Sequence, residues 1–464
     1  MYIFTMPAAD WDETNPDKRA ILRLIEKHRT HSGELKKLMD YYKGRHAILQ
    51  DNDRANKLVC NHAKDIADTA SAYFIGNPIS YNSQEDISPL TDALESAGAD
   101  ETDGDNGLDL SIYGRAYEYI YTQEGETTLE TKNLSPLSTF IVRDDSIEER
   151  ELFAVYYYAR KDDTDGHTVS YVATVLTKNY KWVLNILKIT GAQSTFEEPE
   201  EHFLGEVPVV EYLNNKLGIG DYQLQIPLID AYNALMSDRI TDKEQFIDAI
   251  LAVYGTLLSD DDAVEEGDGG GSAAAMKKLK QEKLLEMPDA SRAEYLTRTF
   301  DESGVEILKK ALEQDIHKFS HVPCLTDEAF GGNVSGVAME FKLLGLENIT
   351  KIKSRYYRKG LRKRLRIFVN FLNTSSAVNI NVAGIESTFT RAMPKNLLEI
   401  SQYVANLKGV VSTKTLLSQI PFVTDPEAEI EAVKEENAEA VRQQQELFSE
   451  FPNTAPEEDE VDEQ

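Results

Sequence analysis

Residues 116–121 read Ala116-Tyr117-Glu118-Tyr119-Ile120-Tyr121, with tyrosine at every second position. A period of two belongs to a strand whose two faces meet different surroundings. The alternation returns in parts of 150–160, 168–176 and 180–189, bounded by polar or glycine-bearing turns such as Asp162-Asp163-Thr164-Asp165-Gly166. From 105 to 213 the chain is therefore expected to form several short, mostly antiparallel strands. Pro136 and Pro208 fall where strands begin or lie at an edge, positions that do without a backbone N–H.

On both sides of this region the period is helical. Upstream, residues 17–42 place Ile21, Leu24, Ile25, Leu35, Leu38 and Met39 on one face, with Gly33 as a candidate break. A second helix is expected from about Lys57 to Tyr73, stopped at Gly76-Asn77-Pro78. Downstream of Pro227, the stripe Ile229, Tyr232, Met236, Ile240, Ile247, Ile250 and Tyr254 predicts a single helix over 228–255, about 42 Å long.

Residues 259–272, SDDDAVEEGDGGGS, read as an acidic loop, followed by candidate strands at 283–287 and 294–298. Ser303-x-x-Glu306 has the form of a capping box for a helix carrying Leu308, Ala311, Leu312, Ile316 and Phe319. Ser335 is placed to cap a long helix to about Leu372, with Gly345 and Gly360 as points of bending. A strand pair at 378–391, helices at 395–408 and 412–419, and an acidic disordered tail complete an α+β chain.

Composition excludes whole classes. Of 464 residues, 49 are Lys or Arg and 80 are Asp or Glu, a net charge of −31. A protein that coats DNA without sequence preference needs the opposite sign. The hydrophobic share of 41% excludes wholesale disorder. Two cysteines, Cys60 and Cys324, make no disulfide framework and fit a reducing compartment. No apolar run reaches the ~18–20 residues of a bilayer span, and MYIFTMPAADWDE lacks the basic start of a secretory signal. A soluble, intracellular protein is expected, with no membrane partner.

Catalytic signatures are absent from the sequence: there is no G-x-x-x-x-G-K-[ST] phosphate loop and no assignable nucleophile triad. Gly331–Gly336 is glycine-rich but lacks the phosphate-binding lysine. His317, His321 and Cys324 have metal-ligand spacing without a visible fourth ligand. No catalytic residue, cofactor or metal is assigned.

The most distinctive charge feature is an acid-free run containing Lys351, Lys353, Arg355, Arg358, Lys359, Arg362, Lys363, Arg364 and Arg366. Its first reading is a helix whose cations pair with acidic faces of neighbouring subunits or domains. Its second is contact with DNA phosphates. Tyr356 and Tyr357 within it are expected in the core.

Three groups of motifs point to a family. Asp40-Tyr41-Tyr42-Lys43-Gly44-Arg45-His46-Ala47-Ile48, Asn56–Asn61 and Tyr73-Phe74-Ile75-Gly76-Asn77-Pro78-Ile79 come first. Phe330-Gly331-Gly332-Asn333-Val334-Ser335-Gly336-Val337-Ala338, continuing to Leu346-Glu347, is the second. Phe389–Pro394, Ser412-x-x-Thr415-Leu416-Leu417 and Pro421–Pro426 form the third. In this order the chain resembles the portal proteins of tailed bacteriophages of the SPP1 type.

The resemblance implies a portal fold: a mixed α/β wing, a helical stem, a small α/β clip and a helical crown, assembled as a dodecameric ring. It implies a virion component at one capsid vertex, assembled in the host cytoplasm, through which double-stranded DNA is packaged and ejected. Terminase, major capsid and scaffolding proteins, and a head–tail connector would be its partners. On this map the wing is 1–226, completed by 336–394, and the stem helices are 227–255 and 303–320. The clip is 256–302, the tunnel loop 321–335, the crown 395–445 and the tail 446–464.

Thr326, Asp327, Glu328, Asn333 and Ser335 would then face the channel, and Asp260, Asp261, Asp262, Glu265 and Glu266 would form the clip's docking surface. The competing reading is an intracellular nucleic-acid-processing enzyme with an unrecognised carboxylate metal site, since scattered carboxylates leave no spacing signature.

Overall fold

The computed structural model describes residues 3–123, 125, 127–161, 168–186, 194–247, 250–254, 292–296, 302–325, 336–375, 378–391, 397–417, 420, 423 and 426–449. It is a mixed α+β structure in two compact units: Met1–Gly331 with Phe341–Ala392, and Gly332–Glu340 with Met393–Gln464. Among the described residues no helix is long and apolar enough to cross a membrane.

In the first unit, strand β1 (Phe4–Met6) precedes helix α1 (Lys18–Tyr42). Asp17 caps α1 by accepting from the Arg19 N–H at 2.9 Å, and Gly33 leaves the helix unbroken. Helix α2 (His62–Ile75) starts five residues later than its apolar spacing suggests. The preceding N–H groups are held elsewhere: Leu58 donates to Ser237 Oγ at 2.9 Å and Cys60 to Asn233 Oδ1 at 2.8 Å.

Strand β2 (Ser80–Asn82) is followed by helices α3 (Ser88–Ser96) and α4 (Ala99–Tyr113), neither of which the sequence pattern suggests. The cause is visible in α4, whose inward face carries Thr102, Asp103, Asn106, Gly107 and Ser111 beside Leu110. Without an apolar stripe, the helix reads as a polar lead-in to the strands. Gly107 lies against α2, where a β-carbon would come 2.4 Å from Ile75 Cγ2. Gly114 ends α4 at φ 77°, and its own absent β-carbon would stand 2.3 Å from the Gly218 backbone.

The region then forms strands β3 (Arg115–Thr122), β4 (Leu129–Leu134), β5 (Thr139–Asp144), β6 (Glu151–Lys161), β7 (Thr168–Leu176), β8 (Tyr180–Ile186), β9 (Ser194–Phe196), β10 (Glu200–Glu201) and β11 (Val209–Leu213). The larger sheet runs β1-β5-β6-β7-β8-β10 with β9 also on β8, and the smaller runs β11-β3-β4. All pairs are antiparallel except β1 with β5. One core gathers Phe4, Ile21, Ile25, Phe140 and Phe153 beneath α1. A second gathers Phe74, Leu90, Leu110, Ile120, Tyr212, Tyr357 and Phe368 between α2–α4, the smaller sheet and the long helix described below.

Helix α5 (Ile226–Ile247) ends earlier than the expected 255. Residues 250–254 form strand β12 (Ile250–Tyr254), paired antiparallel with β13 (Arg292–Leu296). The run ILAVY is apolar throughout, so it fits a strand as readily as a helical stripe. Helix α6 (Glu302–Ser320) lies antiparallel to α5, because Arg239 pairs with Glu306 at 2.9 Å and Lys243 with Glu302 at 2.8 Å. Glu306 thus serves an interhelical ion pair rather than the capping box read from the sequence.

The long helix, α7 (Gly336–Ser375), is a single 40-residue helix. Gly360 does not mark a break. Its missing side chain lets the helix approach β11, where a β-carbon would sit 2.4 Å from the Tyr212 ring. The segment 378–391 is not a strand pair of its own; β14 (Glu386–Thr388) pairs with the distant β2. In the second unit, α8 (Leu397–Leu407) and α9 (Thr413–Leu417) flank Gly409 at φ 89°, followed by α10 (Pro426–Ser449). Helix α10 carries regular structure through residues 446–449, where a disordered tail was expected.

Candidate interaction surfaces of the long helix

The acid-free run splits into two faces of α7. Facing inward are Lys353, Lys363 and Arg364, all buried. Lys353 Nζ donates to Asp221 Oδ2 at 2.7 Å and to Ser111 Oγ at 3.1 Å. Lys363 Nζ donates to the Val209 carbonyl at 2.6 Å and pairs with Glu151. Arg364, 0% exposed, clamps Asp103 through Nη1 at 2.9 Å and Nη2 at 2.5 Å, while its Nε reaches Glu118 at 2.9 Å. Tyr357 donates to Asp103, and Tyr212 donates to Glu118 at 2.5 Å. The two tyrosine rings stack at 4.2 Å.

These three cations pair with acids of their own compact unit, on α4, β3, β6 and the turn at Asp221, and not with the face of a neighbouring subunit or domain. Lys353, Lys363 and Arg364 are therefore corrected out of the set of contacts with DNA or a second copy, because a buried, paired cation has no free surface to offer. Burial opposes the charge of Arg364, but Asp103 and Glu118 outweigh it and hold its pKa above the ordinary value.

Glu211 is treated likewise by Arg143 at 2.7 Å and Arg115 at 3.7 Å; burial works to raise its pKa, and the two cations bring it below the usual carboxylate value. Sequence reasoning missed these acids. One signal was present in Glu118, a charged residue on the otherwise apolar Ala116–Ile120 face of a strand.

The outward face carries Lys351, Arg355, Arg358, Lys359, Arg362 and Arg366, all exposed. Lys351 reaches Glu347 at 3.6 Å, Arg358 lies 5.3 Å from the Phe389 ring, and Arg366 forks onto Glu206 at 2.7 and 3.0 Å. Arg355, Lys359 and Arg362 have no carboxylate within ion-pair distance among the described residues. They stand at i, i+4 and i+7, a single row. Beside the row lies a groove of about 830 Å³ whose walls include Glu148, Glu149, Glu206, Lys359, Arg362 and Arg366.

A second surface is apolar. Phe319 of α6 is 55% exposed and Leu224 69% exposed, with Leu217 and Ile352 also open. They surround a concavity of about 410 Å³. Ile307 and Leu308 extend the uncovered apolar face of α6. Of the stripe read on this helix, only Ile316 is fully buried.

His317 Nδ1 lies 3.0 Å from the Val322 carbonyl, a contact that orients the ring. Among the described residues no cluster of three or more His, Cys, Asp or Glu is arranged to hold a metal ion. The channel candidates Thr326, Asp327, Glu328, Asn333 and Ser335 lie outside the described residues, as do Asp260, Asp261, Asp262, Glu265 and Glu266.

Comparison with known proteins gives consistent matches. The family model for phage portal protein, SPP1 Gp6-like, matches residues 21–443. The portal protein of Bacillus phage SPP1 is 24% identical over 446 residues, covering 92% of this chain and 84% of its own. That of Clostridium phage phiCD119 is 25% identical over 289 residues, 60% of each chain. Among solved structures, a chain from the virion of a native gene transfer agent particle aligns over 77% of this chain and 89% of its own, at 10% identity and a TM-score of 0.40.

Proposed function

This chain belongs to the family of SPP1 Gp6-like phage portal proteins, and on that footing we propose that its copies close into a ring around a DNA channel. Phage portal proteins are structural components of the virion at the portal vertex, not enzymes, so the nucleic-acid-processing alternative is set aside. The observation that carries the ring is the uncovered apolar surface of Phe319, Leu224, Leu217 and Ile352, with Ile307 and Leu308 farther along α6. Apolar patches of this kind mark association sites, and a head-to-tail contact closes a ring when its rotation does.

The antiparallel α5–α6 pair is the stem, and β12–β13 at its end leads into the clip, where terminase and later a connector dock. The sheets with α1–α4 and α7 are the wing, and the unit that includes α8–α10 is the crown. Residues 321–335, Asn333 among them, are the tunnel loop against DNA. The chain's charge of −31 keeps that contact loose, so that the duplex slides.

Negative-stain imaging and light scattering of the purified protein test the ring. Annular particles with a central hole are expected. Lone subunits at every salt and protein concentration overturn it.

A further inference from the structure

Arg355, Lys359 and Arg362 are exposed, aligned and without a carboxylate partner among the described residues, in a chain whose charge is −31. Cations left in an open row beside a groove are placed to bind a separate anionic surface. The groove's acids are in part paired, Glu148 with Arg150 and Glu206 with Arg366, so the choice is narrowed by the chain as a whole, whose charge of −31 would repel a long phosphate backbone. A polypeptide presenting its carboxylates in a row on one side only avoids that repulsion.

Such a surface exists on the chain itself. In α10, Glu431, Glu435 and Glu439 stand at i, i+4 and i+8, all exposed, and none has a cation within ion-pair distance among the described residues. At ~1.5 Å per residue the cationic row from 355 to 362 spans about 10 Å and the acidic row from 431 to 439 about 12 Å. The two rows have nearly the same pitch and opposite sign, and neither has an ion-pair partner among the described residues.

We propose that the Arg355–Lys359–Arg362 row of one copy seats the Glu431–Glu435–Glu439 row of an adjacent copy, an electrostatic clasp between neighbours in the ring. It rests on the ring reading above and adds to it the residues that fix the neighbour's orientation. Pairs of this kind give specificity and salt-sensitive assembly more than raw affinity, while the apolar surface around Phe319 supplies the burial.

The test is a charge swap in the full-length chain. Arg355→Glu, Lys359→Glu and Arg362→Glu together should weaken ring assembly about tenfold, read by native mass spectrometry, with an unchanged melting temperature for the dissociated chain. Adding Glu431→Lys, Glu435→Lys and Glu439→Lys to the same chain should restore the rings. The milder triple Arg355→Gln, Lys359→Gln, Arg362→Gln should give a partial loss that high salt imposes on wild type as well.

Reversed chains that assemble as wild type does, or a swap that fails to restore assembly, overturn the clasp while wild-type rings stand. Intact rings that have lost affinity for a fluorescein-labelled duplex reassign the row to DNA and overturn it too. A wild type that never forms rings overturns the ring reading and the clasp together.

Discussion

The Arg364 guanidinium grips the Asp103 carboxylate with two nitrogens, at 2.9 and 2.5 Å, and so fastens the middle of a 40-residue helix to α4 across 261 positions of sequence. Glu118 receives the third nitrogen at 2.9 Å. The arrangement uses arginine's planar fork, which a lysine does not reproduce. Two carboxylates share one cation, and Tyr357 donates a further hydrogen bond to Asp103 while Tyr212 donates one to Glu118 Oε2.

Removing that cation should be costly. Arg364→Ala leaves two buried carboxylates without their partner and should cost about 3–5 kcal/mol, measured by urea unfolding. Arg364→Lys should recover only part of it. A loss below about 1 kcal/mol for Arg364→Ala would contradict the description.

Two glycines in helices should respond with opposite sign. Gly33 in α1 has nothing within 4 Å of an added β-carbon, so Gly33→Ala should stabilise by about 0.5–1 kcal/mol through helix propensity. Gly360→Ala would place its methyl 2.4 Å from the Tyr212 ring and should destabilise by about 1–3 kcal/mol. Thermal melting of the two variants side by side is the measurement.

Two groups, half-buried Asp109 and buried His28, should tilt stability with pH in opposite directions. Burial pushes the Asp109 carboxyl up to about 7 from 3.8, although Asn133 donates to it at 3.0 Å. The folded state then holds a proton that the unfolded chain releases, so this contribution falls as pH rises from about 4 to about 7. Asp109→Asn should remove that slope. His28 lies 2.8 Å from the Tyr157 hydroxyl, and burial lowers its pKa to about 3 from 6.5. Its contribution is present above about pH 6.5 and lost as pH falls toward 3. Chemical denaturation across pH should show His28→Gln losing that acid-side slope and Asp109→Asn the opposite one.

The exposed apolar surface should be dispensable for folding. Phe319→Asp with Leu224→Asp should shift melting of the isolated chain by less than about 1 kcal/mol equivalent. Light scattering should nevertheless find the rings lost. Rings that persist in the double variant would remove the apolar surface from the interface.

Strands β3, β6, β7 and β8 were legible because their sides meet unlike surroundings, and α1 because its aliphatic stripe is local. Helix α4 was not, since its core-facing side holds Asp103, Asn106 and Ser111, residues whose burial makes sense only once Arg364, Asn133 and Lys353 arrive from elsewhere. The end of α5 was misjudged because an apolar run such as 250–254 has no period to choose helix over strand. Its partner at 292–296 made the choice.

The α+β class, the acidity, the SPP1-type family motifs and the cationic run of α7 were all present in the order of residues, because each depends on local pattern. Which of those cations would be buried was decided only by the tertiary structure. Lys353, Lys363 and Arg364 turn inward because Asp221, Glu151, Asp103 and Glu118 stand where they can pay for a buried charge. Arg355, Lys359 and Arg362 remain in water because no acid of the described chain reaches them. Burial of a charge depends on a partner, and partners are brought together by the fold rather than by neighbouring positions in sequence.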